Sequence, residues 1–304
     1  MTIVLAGHTG LVGSAIFEAL IASGESVIGV NSKVVDFLDR DLTFEFIHDH
    51  KPDLVIDAAA IVGGISANNE FRVEFLSKNL QIQNNLMDAS HAAGVERFVF
   101  LGSSCIYPRE CPQPIKEEYL MTGPLETTNS AYAVAKIAGI ELIKSYRMQH
   151  ARRWISLMPT NMYGKRDNFD VTTGHVLPAF INRFVTARRA NLPEVTLWGT
   201  GSPMREFLHS SDLALAVILA SEKYDSDLHL NIGTGSDLSI RELAQRIAKS
   251  AGFKGEINWD PSKPDGTPRK LLDISRLKAL GWEPKVSLDE GIQETIQYFE
   301  TNYN

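Results

Sequence analysis

Residues 2–16 read TIVLAGHTGLVGSAI. The first five are an apolar run of the kind that forms a buried strand, and Val12–Ala22 carries the spacing of a helix. Between the two lie Gly7, Gly10 and Gly13, spaced G-x-x-G-x-x-G. Glycine allows a tight turn and lets backbone close on a pyrophosphate, and the helix N-terminus favours the anion. Three turn glycines also occur with no ligand at all. The rest of the chain separates these readings.

Working outward, short β-rich runs alternate with helical stretches. Strands are expected at Ser26–Val30, Leu54–Asp57, Arg97–Leu101 and Trp154–Leu157, and helices at Phe71–His91 and Ala131–His150. That alternation implies an α/β fold with a Rossmann-type doubly wound parallel sheet and right-handed crossovers. After Pro159 the texture changes to Pro, Asn, Gly and Arg. Helices at Leu177–Ala190, Asp212–Ala220, Ile240–Ala251 and Leu288–Tyr298, with short strands at Val195–Trp198 and Leu228–Ile232, suggest a smaller C-terminal α/β lobe. The expected division is 1–160 for dinucleotide binding, with return segments near 207–235. Residues 161–206 and 236–304 then form the substrate lobe.

Composition narrows the class. The chain has 304 residues, 44% hydrophobic and 22% charged, with a formal charge of -7 spread along it. Such a mixture gives no basic footprint for nucleic acid. No apolar run is long enough to span a bilayer. Only Cys105 and Cys111 are present, too few for a disulfide framework. The N-terminus runs straight into a strand, so a signal peptide is not expected and a reducing, cytoplasmic setting is. No metal site is expected.

An acid after the second strand would bind the ribose hydroxyls of NAD and repel the 2′-phosphate of NADP. Here that position reads Asn31-Ser32-Lys33. The missing acid and the nearby cation favour NADP, although Lys33 also reads as a solvated surface lysine. Further on, SAYAVAKIAG (130–139) places Tyr132 and Lys136 four residues apart, on one face of a helix. A lysine cation beside a phenol is expected to lower its pKa and let it exchange a proton with a carbonyl oxygen. Such a pair also arises by chance on many helices. LGSSCIYP (101–108) adds two hydroxyls and a thiol where the fourth strand ends.

With these motifs the chain resembles the extended short-chain dehydrogenase/reductases. GHTGLVGSAI, AAAIVGGISANN, FLGSSCIYP, YAVAKIAGIEL, MPTNMYG, GHVLPAF, WGTGSPMREFLH and SKPDGTPRKLLD are similar, over nearly the whole chain, to the GDP-L-fucose synthases. The resemblance implies an NADPH-dependent 3,5-epimerase and 4-reductase acting on GDP-4-keto-6-deoxy-D-mannose. It implies that Cys105 and His175 are the acid/base pair for carbons 3 and 5, that Tyr132 protonates the ketone oxygen, and that Lys136 tunes Tyr132. Ser103, rather than the adjacent Ser104, would hold the ketone. Thiol and imidazole both titrate near neutrality, which suits proton traffic either way. Each has a blander reading. Cys105 could be a small buried hydrophobe, and His175 a capping residue.

The expected cofactor contacts are Gly7, His8, Thr9, Gly10, Leu11, Val12 and Gly13, then Asn31, Ser32 and Lys33, Ala58 and Ala59, and Leu101 and Gly102. Pro159, Asn161, Met162 and His175 complete them, with Tyr132 and Lys136. By the same resemblance Arg183, Trp198 and Arg205 contact the GDP-sugar, joined by Asp265 and Lys270. The family implies a homodimer joined through Phe71–His91 and Ala131–His150. Departures from its pattern include Thr9, where many relatives carry arginine, Asn31-Ser32, where another base is common, Asn129-Ser130, Lys165-Arg166 and a short segment 222–230. Alternatives are another GDP-4-keto sugar, either 3,6-dideoxy or a heptose, and a non-catalytic NADP-binding scaffold.

Overall fold

Strand β1 (Thr2–Ala6) lies between β2 (Ser26–Val30) and β3 (Leu54–Asp57), and the sheet continues through β4 (Arg97–Leu101), β5 (Ile155–Pro159) and β9 (Leu230–Ile232). In the computed structural model, which describes residues 1–263 and 265–303, every pair in this sheet is parallel. All four residues of β3 and all five of β5 are buried, as expected for strands covered on both faces. Helices α1 (Leu11–Ala22) and α7 (Ser210–Lys223) pack together on one face. On the other lie α2 (Arg40–His50), α4 (Arg72–Ala92) and α5 (Ser130–His150), preceded by the short α3 (Ile65–Glu70). The chain leaves β1 in one direction to β2 and returns past it to β3. The carboxyl ends of β1 and β3 therefore flank a crevice, where doubly wound sheets take their ligands.

A second lobe gathers around β8 (Met204–His209), which pairs with β6 (Asn161–Tyr163), β10 (Asp237–Ser239) and β12 (Arg269–Lys270). A separate parallel pair joins β7 (Glu194–Trp198) to β11 (Glu256–Asp260). Helices α6 (Val176–Arg189), α8 (Ile240–Ser250) and α10 (Leu288–Asn302) enclose a core of Phe184, Ile247, Ile292 and Phe299. This core is distinct from the first, which holds Trp154 and Phe98 with ring centroids 5.1 Å apart.

The sequence reading assigns all of 236–304 to the second lobe. The structure instead packs Leu272, Ile274, Leu277 and Trp282, around α9 (Ser275–Ala279), into the first core. Asn231 on β9 fastens this return, donating to Ile115 O at 2.9 Å and Asp273 O at 3.2 Å. Helix α2 is absent from the sequence reading. Its RDLTFEFIHDH buries only Thr43 and Ile47, too narrow a seam to show as periodicity, and Asp39 caps it by accepting from Leu42 N.

Candidate active site

The glycine turn after β1 is built for close approach. Gly7 has φ +80°, and a Cβ there would lie 2.7 Å from Ala58 O. A Cβ at Gly13 would lie 2.1 Å from Gly7 O, so only glycine lets α1 sit this close to the strand. Gly10 differs: it is exposed, and its nearest neighbour to a built Cβ is 3.7 Å away. It caps α1 without a side-chain hydrogen bond, leaving the first amides of the helix free to meet an anion. The His8 ring packs against Phe17, and its Nδ1 is buried without a partner. Thr9 is exposed, and Leu11 and Val12 are half-buried in the first turn of α1. A dinucleotide fits this cradle.

After β2, Asn31 Oδ1 accepts from Lys33 N at 3.0 Å and so shapes its own turn, while Ser32 and Lys33 are exposed. Ala58 and Ala59 line the end of β3, half-buried, and Leu101 and Gly102 the end of β4. Pro159 is buried at the end of β5. Met162 packs against the first core, and Asn161 Nδ2 donates to Glu206 O at 2.7 Å, tying β6 to β8.

The candidate catalytic residues gather where β4 ends. Ser103 Oγ accepts from the Cys105 thiol at 3.2 Å and from Cys105 N at 3.4 Å, and Ser103 is partly exposed while Ser104 is buried. An oxygen that accepts twice leaves its own proton to donate into the cleft. Helix α5 brings Tyr132 and Lys136 over this point. It lies close to the sheet because Gly139 meets Phe100, whose ring carbon a Cβ there would touch at 2.4 Å. Lys136 Nζ stands 4.7 Å from the Phe100 ring centroid and donates to Leu101 O at 2.9 Å. It lies 5.8 Å from the Tyr132 ring centroid.

The electrostatics differ from the sequence expectation in two respects. The Tyr132 phenol is pushed up rather than down, first by burial and then by the negative charges of Cys105, when it ionises, and Asp57. The reason is that the Lys136 ammonium is turned to the Leu101 carbonyl, so desolvation decides. Thiol and imidazole also move away from neutrality. Burial raises Cys105, against opposition from Lys270, the Ser103 hydrogen bond and Lys136. His175 is lowered by desolvation and then by Lys270, although the residue as a whole is exposed. The resting pair is therefore a neutral thiol and a neutral imidazole. His175 occupies the N-cap of α6, but its side chain makes no capping bond and is left for chemistry.

The cations converge. Lys270 on β12 is the register partner of Arg205 on β8, and partners in neighbouring parallel strands present the same face. Lys270 lies within electrostatic reach of Cys105, Arg205 and Glu126, and it also acts on His175. Among the described residues neither Lys270, Arg205 nor the half-buried Arg183 of α6 forms an ion pair. Burial pushes Arg205 down to about 10, with Asp265 and Glu126 opposing. Trp198 is 52% exposed at the end of β7. Asp265 is differently engaged: its carboxylate accepts from Thr200 N and Thr200 Oγ1, both at 2.8 Å, and so shapes the loop after Trp198.

Two acids escaped the sequence reading. Glu126 is buried between the lobes, 3.4 Å from Arg109 Nε, and bears on Arg205 and Lys270. Asp57 closes the apolar run of β3 and bears on Lys136. An aspartate ending an otherwise apolar strand was the available signal for the second. Nothing in the local pattern marks the first.

Comparison with known proteins identifies the family. Residues 3–233 match the model of the NAD dependent epimerase/dehydratase family. The chain is 51% identical over 300 residues to a probable GDP-L-fucose synthase 1 of Oryza sativa subsp. japonica, covering 98% of this chain and 92% of that one. It is 47% identical over 308 residues to the GDP-L-fucose synthase of Escherichia coli (strain K12), covering 98% and 96%. Among solved structures, a GDP-L-fucose synthetase from Naegleria fowleri bound to NADP superimposes with a TM-score of 0.91 at 29% identity, covering 99% and 94%.

Proposed function

Because the chain belongs to the NAD dependent epimerase/dehydratase family, and within it to the GDP-L-fucose synthases, we propose that its cleft converts GDP-4-keto-6-deoxy-D-mannose to GDP-L-fucose with NADPH. The observation that carries the reading is Lys270. It is the register partner of Arg205, and its ammonium acts on both Cys105 and His175, which supports a diphosphate seat next to an acid/base pair.

The residues divide the work as follows. Arg183, Arg205 and Lys270 hold the diphosphate, and the exposed Trp198 ring offers a stacking surface for the base. Ser103 donates to the ketone oxygen and stabilises the enolate that forms when a neighbouring carbon loses its proton. The neutral His175 imidazole takes that proton, and the Cys105 thiol returns one on the opposite face. The Gly7–Gly13 turn and the start of α1 hold the pyrophosphate of the cofactor, which supplies hydride to carbon 4 when bound. Tyr132 then protonates the carbon-4 oxygen. A phenol kept protonated by burial is the right form for an acid. The same proposal includes a homodimer joined through α4 and α5, where Val73 and Met148 are 74% and 84% exposed, and a cytoplasmic setting.

The test separates the two chemistries. With GDP-4-keto-6-deoxymannose in deuterium oxide, Tyr132→Phe should keep deuterium uptake at carbons 3 and 5 and lose about 10²–10⁴-fold in NADPH oxidation. Cys105→Ser should mainly slow deuterium uptake. The reading fails if the unaltered protein does neither, or if a 3,6-dideoxy or heptose GDP-4-keto sugar turns over faster.

A further inference from the structure

Asp57 has no part in the chemistry above, yet its placement is costly. It is the last residue of the central strand β3 and only 1% exposed. Oδ1 accepts from Ala59 N at 3.1 Å, and Oδ2 is buried without a partner. A buried carboxylate with an unpaired oxygen costs several kilocalories unless some charge compensates it. Its register partner on β4 is Phe100, whose ring carries the Lys136 ammonium. The carboxyl therefore lies on the α5 side of the sheet, in the same pocket as Lys136. The two do not touch, because Lys136 Nζ is bound to Leu101 O.

Lys136 is itself 3% exposed, and a buried ammonium without a counter-charge gives up its proton readily. The groups that act on it are Asp57 from β3 and Cys105 from the end of β4. Those that act on Tyr132 are the same two. Cys105 is protonated at rest, which leaves Asp57 as the standing negative charge of the pocket. We infer that Asp57 is a positioning residue for the reduction: a through-space counter-ion that keeps Lys136 an ammonium and Tyr132 a protonated phenol. It thereby sets the alkaline limit of hydride transfer without touching substrate. Asp57 is not among the groups that act on Cys105 or His175, so the epimerisation feels it only through the charge of Lys136. This rests on the function proposed above, so the tests below are read separately from the activity of the unaltered protein.

Asp57→Asn keeps shape and removes charge. Without the carboxylate both Lys136 and Tyr132 lose a proton more easily, so the alkaline limb of NADPH oxidation should fall by about one to two pH units. The pH profile of deuterium uptake should not follow it: losing the Lys136 charge raises the Cys105 thiol, so any movement of that alkaline limb is smaller and to higher pH. Equal loss in both steps at every pH, or no movement of the reductive limb, overturns the inference. A second measurement does not depend on that variant folding. In protein labelled with carbon-13 aspartate, infrared titration should find a buried carboxyl changing state at about 6, since burial holds Asp57 up against the pull of Lys136. In Lys136→Met the same carboxyl should titrate about a unit higher, and an unchanged midpoint refutes the coupling. If the unaltered protein neither exchanges nor reduces, the function falls, while the infrared coupling still stands or fails by itself.

Discussion

Lys270→Met removes one charge and nearly preserves volume. Three consequences follow from the position of this side chain beside Arg205, Cys105 and His175. A charged contact to phosphate contributes about 1.5–3 kcal/mol, so GDP-sugar binding should weaken roughly 10- to 150-fold. Lys270 currently lowers both the thiol and the imidazole. Its removal should raise both, each by about half to one pH unit for charges acting across a partly solvated cleft. In the roles proposed above for His175 and Cys105, epimerisation needs the imidazole neutral, which sets its acid limb, and the thiol protonated, which sets its alkaline limb. Both limbs should therefore move to higher pH together. Folding stability should hold, because the lysine lost is half-buried and among the described residues has no ion-pair partner. The assay is deuterium uptake by the GDP-4-keto sugar without NADPH, followed from roughly pH 5 to 10 at saturating substrate. A bell that stays fixed while binding weakens would leave Lys270 as a phosphate ligand alone. A bell that moves to lower pH would refute the placement of the charge.

Two further outcomes are expected. Gly13→Ala should lose both stability and NADP binding, since its Cβ would lie 2.1 Å from Gly7 O, whereas Gly10→Ala should fold normally and lose only cofactor affinity. Thermal melts with and without NADPH distinguish the two. Asp167 is 6% exposed, and burial holds its carboxyl up to about 7, with the Asn168 amide opposing. A folded pKa above the unfolded 3.8 means the folded chain keeps a proton that the unfolded chain has released. Stability therefore falls as pH rises through that window. Asp167→Asn should gain roughly 2–4 kcal/mol at about pH 8 and nothing below about pH 4. Denaturant midpoints across pH test this, and an equal gain at both ends would contradict it.

Much of the first lobe was legible because its signals are local. Thr2–Ala6, Ser26–Val30, Leu54–Asp57 and Arg97–Leu101 match the strands they were expected to be. Each is a short apolar run between turn residues. The glycine spacing and the Tyr132–Lys136 pair were equally readable, since both lie within one turn or one helix face. The second lobe was less so. Strands β6, β10 and β12 span two or three residues and exist only because β8 offers them partners. No window of sequence contains that information. The return of Leu272–Trp282 to the first core was hidden for the same reason.

What the residues by themselves determined is therefore which groups are available: a glycine turn between strand and helix, a phenol with its lysine, a thiol after a hydroxyl, and arginines in the second lobe. What only the folded chain decided is the charge state in which each group waits. The phenol lies higher than its spacing from Lys136 suggested, because that ammonium faces the Leu101 carbonyl. Register places Lys270 beside Arg205 and Asp57 beside Phe100 across the sheet, and neither neighbour is visible along the chain. The physical reason is common to all three. Burial and distance between charges set proton affinity, and both are properties of packing between segments far apart in the chain.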